Sequence, residues 1–211
     1  MDNTVGRLQS LFSSHRLDVL IGSLLGDARL ECRSIGKRHP ITARLRIHHS
    51  EKQKEYVFWK YEIFKEIILK PPRKIMTWRD PKRYKEHYSW YFHSKSLESL
   101  GLLHSYFYKG KTKIFSKDIF DLITPRALAI WFMDDGSNTQ NSYTISTHCF
   151  SEKEQKSIIN FLKKRYDINA TMVRDRSKFK IALGRKEYQK LNAIIEPYII
   201  PSMIYKIESG A

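Results

Sequence analysis

Two apolar runs stand out along the chain. LDVLIGSLLGDARLE, from Leu17 to Glu31, stops at a carboxylate, Asp27; ITPRALAIWFMDDGS, from Ile123 to Ser137, stops at Asp134 and Asp135. Neither reaches the ~20 apolar residues needed to cross a membrane. Each predicts a buried helix, the first from about Leu17 to Arg29. Met1 to His15 carries no strong period and is read as a mobile arm.

Elsewhere the period shortens. In ITARLRIHH, residues Ile41, Ala43, Leu45 and Ile47 alternate with Thr42, Arg44, Arg46 and His48, which predicts a half-buried strand with a basic open face. Gly36 and Pro40 mark a turn before it. Ser50 and Gln53 predict a capping box for a helix that carries Val57, Phe58, Tyr61, Phe64, Ile67 and Ile68 at helical spacing and ends at Pro71 and Pro72. RKIMTWRD and HYSWYFHS read as strands joined around Pro81 and Lys82. A helix from about Lys95 to Tyr108 and a basic link, YKGKTKIFSKD, follow.

After the Pro125 helix come a strand, SYTISTHCF, and a helix capped by Ser151, with Glu154 completing a capping box. Two strands, NATMVRDR and SKFKIAL, turn near Ser177; Phe179, Ile181 and Leu183 face one way, Lys178 and Lys180 the other. Gly184 precedes a last helix limited by Pro197 and Pro201. The halves correspond. Asp27 and Asp135 are 108 residues apart, and Ser50 in HSEKQK and Ser151 in FSEKEQK are 101 apart. Matches in the same order predict a duplicated α+β module: residues 1–109 with the arm, a linker at 110–124, and 125–211.

Composition adds a partner. Lys plus Arg number 38 against 22 for Asp plus Glu, a net charge of +16 that calls for an acidic partner. The basic residues lie in strand-like segments among aromatics rather than on one amphipathic helix, which favours nucleic acid over a membrane. Met1 to Ser14 lacks the pattern of a secretion signal, so an intracellular, soluble protein is expected. Abundant Phe, Tyr, Ile and Lys are compatible with the AT-rich genome of a mitochondrion or plastid. Cys32 and Cys149 are expected as two free thiols, and His48, His49 and His148 lack the spacing of a zinc site.

A carboxylate at the C-terminal end of a helix is disfavoured by ~0.3–1 kcal/mol. Should a twofold axis bring the two ends together, Asp27 and Asp135 need a compensating charge, and a divalent cation with hard oxygen ligands, Mg²⁺, fits. Gly22, Ser23 and Gly26, with Ala127 and Ala129 on the second run, would let the backbones approach. Cations beside a basic surface point to phosphodiester hydrolysis, aided by a lysine that stabilises added negative charge.

LIGSLLGDA (Leu20 to Ala28) and LAIWFMDDG (Leu128 to Gly136) resemble the two copies of the motif that names the LAGLIDADG homing endonucleases, in the single-chain, intron-encoded branch. The GKTKIF link and the PYIIPSMIYK ending are similar too. The resemblance implies an αββαββα fold in each half, motif helices at the interface and a saddle of antiparallel sheets. It also implies a monomer that cuts both strands of a long double-stranded DNA site with Mg²⁺ (or Mn²⁺), leaving short 3′ overhangs. By position, Asp27 and Asp135 would be the metal-binding catalytic carboxylates, the carbonyls of Gly26 and Asp134 further ligands, and Lys206 a basic residue near the second centre. The family link reads Gly-Lys-Lys-x-Ile-Pro. Here Thr112 takes the lysine position, which leaves Lys111 and Lys113 as alternatives for the first centre. Arg44, Arg46 and His48, then Arg174, Arg176, Lys178 and Lys180, are the expected DNA-binding residues, arginines reading bases and lysines holding phosphates. The alternatives are an RNA maturase acting on a group I intron RNA and a catalytically inactive DNA-binding relative.

Overall fold

The structure is a computed structural model that describes residues 4–32, 41–82, 84–139 and 142–208. The turn expected at Gly36 and Pro40 lies outside the described residues. No helix among them is long and apolar enough to cross a membrane.

The expected N-terminal arm is instead a helix, α1 (Thr4–Leu11), whose Leu8 is fully buried. The second helix, α2 (Ser14–Leu25), starts where the Ser13 hydroxyl accepts the Arg16 N–H at 3.4 Å. It ends sooner than predicted. Gly26 leaves helical geometry while its N–H still reaches the Gly22 carbonyl at 3.1 Å, so Asp27 stands in a turn just past the helix. Arg29–Glu31 then forms a strand, β1. Its Leu30 pairs with Leu45 and is buried, a gain the last helical turn could not offer.

Contacts divide the chain into two units. Residues 27–104 form one. It holds β1, β2 (Arg44–Ser50), α3 (Lys54–Phe64), β3 (Arg73–Arg79), β4 (Glu86–His93) and most of α4 (Glu98–Phe107). The strands make an antiparallel sheet in the order β1-β2-β4-β3. Ala43, Leu45 and Ile47 are fully buried, with Arg44, Arg46 and His48 half-buried on the other face, as the alternation predicts. The capping box expected at Ser50 does not form. Ser50 is the last residue of β2, paired with Ser89, and a 3₁₀ turn at Glu51–Gln53 separates it from α3.

Residues 1–26 and 105–211 form the other unit. After α1 and α2 it contains a two-residue hairpin, β5 (Tyr108–Lys109) and β6 (Thr112–Lys113), turning at Gly110 with φ +63°. That left-handed value suits glycine. The rest is α5 (Pro125–Asp135), β7 (Gly136–Thr139), β8 (Ser142–Ile145), α6 (Glu152–Tyr166), β9 (Ala170–Asp175), β10 (Lys178–Gly184) and α7 (Tyr188–Ile195). The sheet runs β7-β8-β10-β9, the same order of connections as the first. Here the capping box is present: the Ser151 hydroxyl accepts the Glu154 N–H, and the Glu154 carboxylate accepts the Ser151 N–H at 2.8 Å. The predicted strand SYTISTHCF is only four residues long, because the chain turns at Thr147–Phe150. Both halves are therefore αββαββα, from α2 to α4 and from α5 to α7.

Within this unit α2 packs against α5 with little side-chain material between them. A methyl group added at Gly22 would lie 2.4 Å from the Ala127 carbonyl oxygen and 2.7 Å from Ile130 Cβ; one at Gly26 would lie 2.5 Å from Asp134 Cβ. Gly22 and Ile130, like Gly26 and Asp134, are 108 positions apart, so equivalent points of the two motifs meet. At the other end of the contact the Asp18 carboxylate accepts from the Thr124 hydroxyl at 2.8 Å and from Arg126 at 3.2 Å. Gly22→Ala should gain helix propensity yet lose stability, because the clash is with backbone; a loss of about 1–3 kcal/mol is expected from such overpacking. Thermal unfolding of the variant beside the natural chain measures it.

Candidate functional site

The turn after α2 leaves the Asp27 side chain 45% exposed. At the end of α5, Asp135 is half-buried and its carbonyl accepts the Ser146 N–H at 3.0 Å. Asp134 is 6% exposed and lies against Gly26. The short β5–β6 hairpin places the two candidate lysines differently. Lys111 is exposed at the turn, whereas Lys113 Nζ donates to the Gly26 carbonyl at 2.8 Å. Lys206, closing a 3₁₀ turn at Pro201–Lys206, donates to the Gly136 carbonyl at 2.6 Å. Each lysine thus reaches a main-chain oxygen adjacent in sequence to a motif aspartate. The end of a helix is electronegative, so an ammonium there offsets both the dipole and the neighbouring carboxylate.

Beside Asp27 lies a group that sequence reasoning missed. His49 Nδ1 approaches Asp27 Oδ2 at 3.4 Å, and its side chain is 1% exposed. His49 Nε2 is 3.2 Å from Nζ of Lys60, which is fully buried on α3. Nothing in the sequence marks either residue, since β2 and α3 each supply one and only packing joins them.

Of the expected DNA-binding residues, Arg44, Arg46 and Lys180 pair with carboxylates. Glu31 on β1 accepts from Arg44 Nε at 2.6 Å, from Arg29 at 2.9 Å and from Arg46 at 3.4 Å. Asp27, Arg29, Arg46 and His48 line a cavity of about 220 Å³. His48 Nε2 is 2.6 Å from the Ser89 hydroxyl; burial, then the Arg46 charge, holds its pKa below the ordinary value. It therefore serves at neutral pH as a neutral hydrogen-bonding ring rather than a cation. On the second sheet, Asp175 pairs with Lys180 at 3.1 Å and with His148 at 3.2 Å. Lys178 donates to the His148 carbonyl at 3.2 Å. Arg174 Nε donates to the carbonyl of Arg176, which sits at φ +57° in the β9–β10 turn. Glu31 is not marked in the sequence, because β1 is too short to show a period. Neither Cys32 nor Cys149 forms a disulfide.

Burial raises the Glu31 pKa, but the Arg44 hydrogen bond and the charges of Arg44 and Arg29 outweigh it and bring it below the ordinary value. A depressed folded pKa stabilises above the unfolded value, about 4.3, and that stability is lost as pH falls through the folded value. Glu31→Gln should remove this part of the acid dependence, so its unfolding midpoint should fall less steeply below about pH 4.3. A pH series of thermal melts on both proteins checks it.

Residues 17–191 match the LAGLIDADG DNA endonuclease family. The DNA endonuclease I-ChuI of Chlamydomonas applanata is 30% identical, over 92% of this chain and 94% of that one. The cytochrome b mRNA maturase bI2 of Saccharomyces cerevisiae is 28% identical over 98% of this chain, which spans 49% of that protein's length. Among solved structures, the homing endonuclease I-WcaI bound to its DNA recognition sequence superposes with a TM-score of 0.85 at 26% identity, over 98% of this chain and 93% of that one. With its two αββαββα halves and paired motifs, this chain belongs to the LAGLIDADG DNA endonuclease family.

Proposed function

We propose that the chain is a homing endonuclease that hydrolyses phosphodiester bonds in both strands of a long double-stranded DNA site. The supporting observation is the packed end of α2 and α5, where Lys113 and Lys206 hold the Gly26 and Gly136 carbonyls beside the motif aspartates. The modules at 1–109 and 125–211, joined through 110–124, would act together as a monomer.

We assign Asp27 and Asp135, one from each half, as metal-binding carboxylates. The donor set is hard oxygen, which fits Mg²⁺ or Mn²⁺. Among the described residues no three His, Cys, Asp or Glu side chains converge to hold an ion. The remaining positions would therefore fall to the Gly26 and Asp134 carbonyls, water and the DNA phosphate. When bound, such a cation activates water and stabilises the departing oxygen. Lys113 and Lys206 are placed to offset negative charge added at the phosphate. Arg44, Arg46 and His48 would read base edges, and Lys178, Lys180, Arg174 and Arg176 would contact the second half of the site.

The likeness to the bI2 maturase favours a second role, binding of the parent intron RNA.

Asp27→Asn and Asp135→Asn should each abolish Mg²⁺-dependent cutting of a duplex spanning the intron-free insertion site while leaving binding largely intact. Loss of duplex binding instead would make these carboxylates structural. Arg46→Ala should relax base preference at one position by ~1–3 kcal/mol. An unchanged profile in a screen of randomised cleavage sites would refute that contact.

A further inference from the structure

Among the described residues, Lys60 is the one lysine in the group of largest fully buried side chains. A buried ammonium is costly unless its surroundings compensate it. Its surroundings are specific: the Tyr56 ring lies 4.2 Å from Nζ, and His49 Nε2 lies 3.2 Å away. The imidazole is itself packed against Tyr56, with ring centroids 5.1 Å apart, and Tyr56 stacks on Trp59. With Lys60 as an ammonium, which has donors only, Nε2 accepts. That tautomer places the ring proton on Nδ1, which lies 3.4 Å from Asp27 Oδ2, a charge-to-dipole approach longer than an aligned hydrogen bond.

We propose that Lys60 and His49 are positioning residues for the first motif carboxylate: Lys60 fixes the tautomer of His49, and the Nδ1–H so placed fixes the Asp27 carboxylate. The inference rests on the nuclease reading of Asp27. A histidine oriented by one partner and aimed at a metal-ligating group is a recurrent way to set a ligand's geometry. The second half differs. The sheet registers pair Arg29 with Arg46 and Ser137 with Thr144, so the counterpart of His49 is Thr147. Thr147 is buried, and its hydroxyl donates to the Gln155 side-chain oxygen at 3.0 Å. Lys60, at the offset of 101 residues that relates Ser50 to Ser151, corresponds to Phe161, which packs against Phe120. A neutral hydroxyl–amide pair and a phenylalanine thus stand where the first half has an imidazole and a lysine. The two aspartates are held by different means, so the two strands should respond differently when this pair is removed.

The test uses the full chain and a target duplex with each strand labelled separately. Lys60→Met and His49→Phe should slow cutting of one strand by about tenfold or more and leave the other within about twofold, the size expected for loss of a ligand's orienting partner. His49→Asn, whose amide N–H can stand where Nδ1–H does, should cut more evenly than His49→Gln, whose amide lies farther out. This pair of small changes keeps the test open should the larger substitutions unfold. Mn²⁺ binding to the protein on an uncleavable duplex, followed by electron paramagnetic resonance, should weaken in Lys60→Met without loss of DNA binding. Equal slowing of both strands in a folded, DNA-bound variant, unchanged cutting, or identical behaviour of the Asn and Gln variants would overturn the proposal. A natural chain that binds the site and cuts neither strand would overturn the nuclease reading instead.

Discussion

The close approach of α2 and α5 is the constraint from which the rest of the larger unit follows. Gly22 and Gly26 leave no room for a side chain, so the contact is nearly backbone on backbone, and Ile130 and Asp134 fill the space a Cβ would take. Such a contact is intolerant of volume added anywhere along it. It also sets the electronegative end of α2 against the Asp134 carboxylate at the end of α5. The chain answers with cations delivered from outside the helices: Lys113 from a two-residue hairpin and Lys206 from a terminal 3₁₀ turn. Asp18, bound to Thr124 and Arg126, settles the opposite end of the helix pair with a neutralised carboxylate. Packing and electrostatics therefore make the same demand on the sequence: small residues in the middle, and opposite charge at each end.

How much of this was legible depended on the length over which a residue's environment is set. The β2 alternation, the Ser151 capping box and the β9–β10 hairpin are local, and each lies where the pattern predicts. Strands β1 and β7 are three and four residues long, too short to show a period, and each follows directly on a strongly helical run. The Ser50 motif shows the limit of a local rule: the residues for a capping box are present, but Ser50 is held in the sheet opposite Ser89 and its helix starts later. The resemblance points to Asp27 and Asp135 through the motif and to Lys206 through the MIYK ending. It leaves Lys111 and Lys113 equivalent, because only the turn at Gly110 decides which of them points back to Gly26. His49 and Lys60 are silent in the sequence for the same reason, since each acquires its meaning from an element it does not belong to.

The acidic residues set into the basic sheet faces change what those faces can do. A long cationic side chain loses considerable rotamer entropy when it is fixed on a ligand. Glu31 already constrains Arg29, Arg44 and Arg46, and Asp175 constrains Lys180. An arginine has five N–H donors, so one carboxylate partner leaves others available in a defined direction. The arrangement gives up some long-range attraction to phosphate and gains preorganisation at individual side chains. Affinity without sequence would be served by unpaired lysines; a face built to distinguish bases is better served by arginines already aimed.

The likeness of the two halves is one of topology more than of chemistry. Both sheets have the same order, and equivalent motif positions meet at Gly22 with Ile130 and Gly26 with Asp134. Yet Gly26 precedes Asp27 while Gly136 follows Asp135, so the carbonyls held by Lys113 and Lys206 are not equivalent atoms of the two motifs. The imidazole and lysine behind Asp27 correspond to Thr147 and Phe161 in the second half, which carry no charge. Two identical subunits could not differ in this way, because every substitution would appear at both sites. Joining the halves in one chain lifts that restriction. Each can then tune its own carboxylate and its own sheet face, provided the glycine contact between the motif helices is kept.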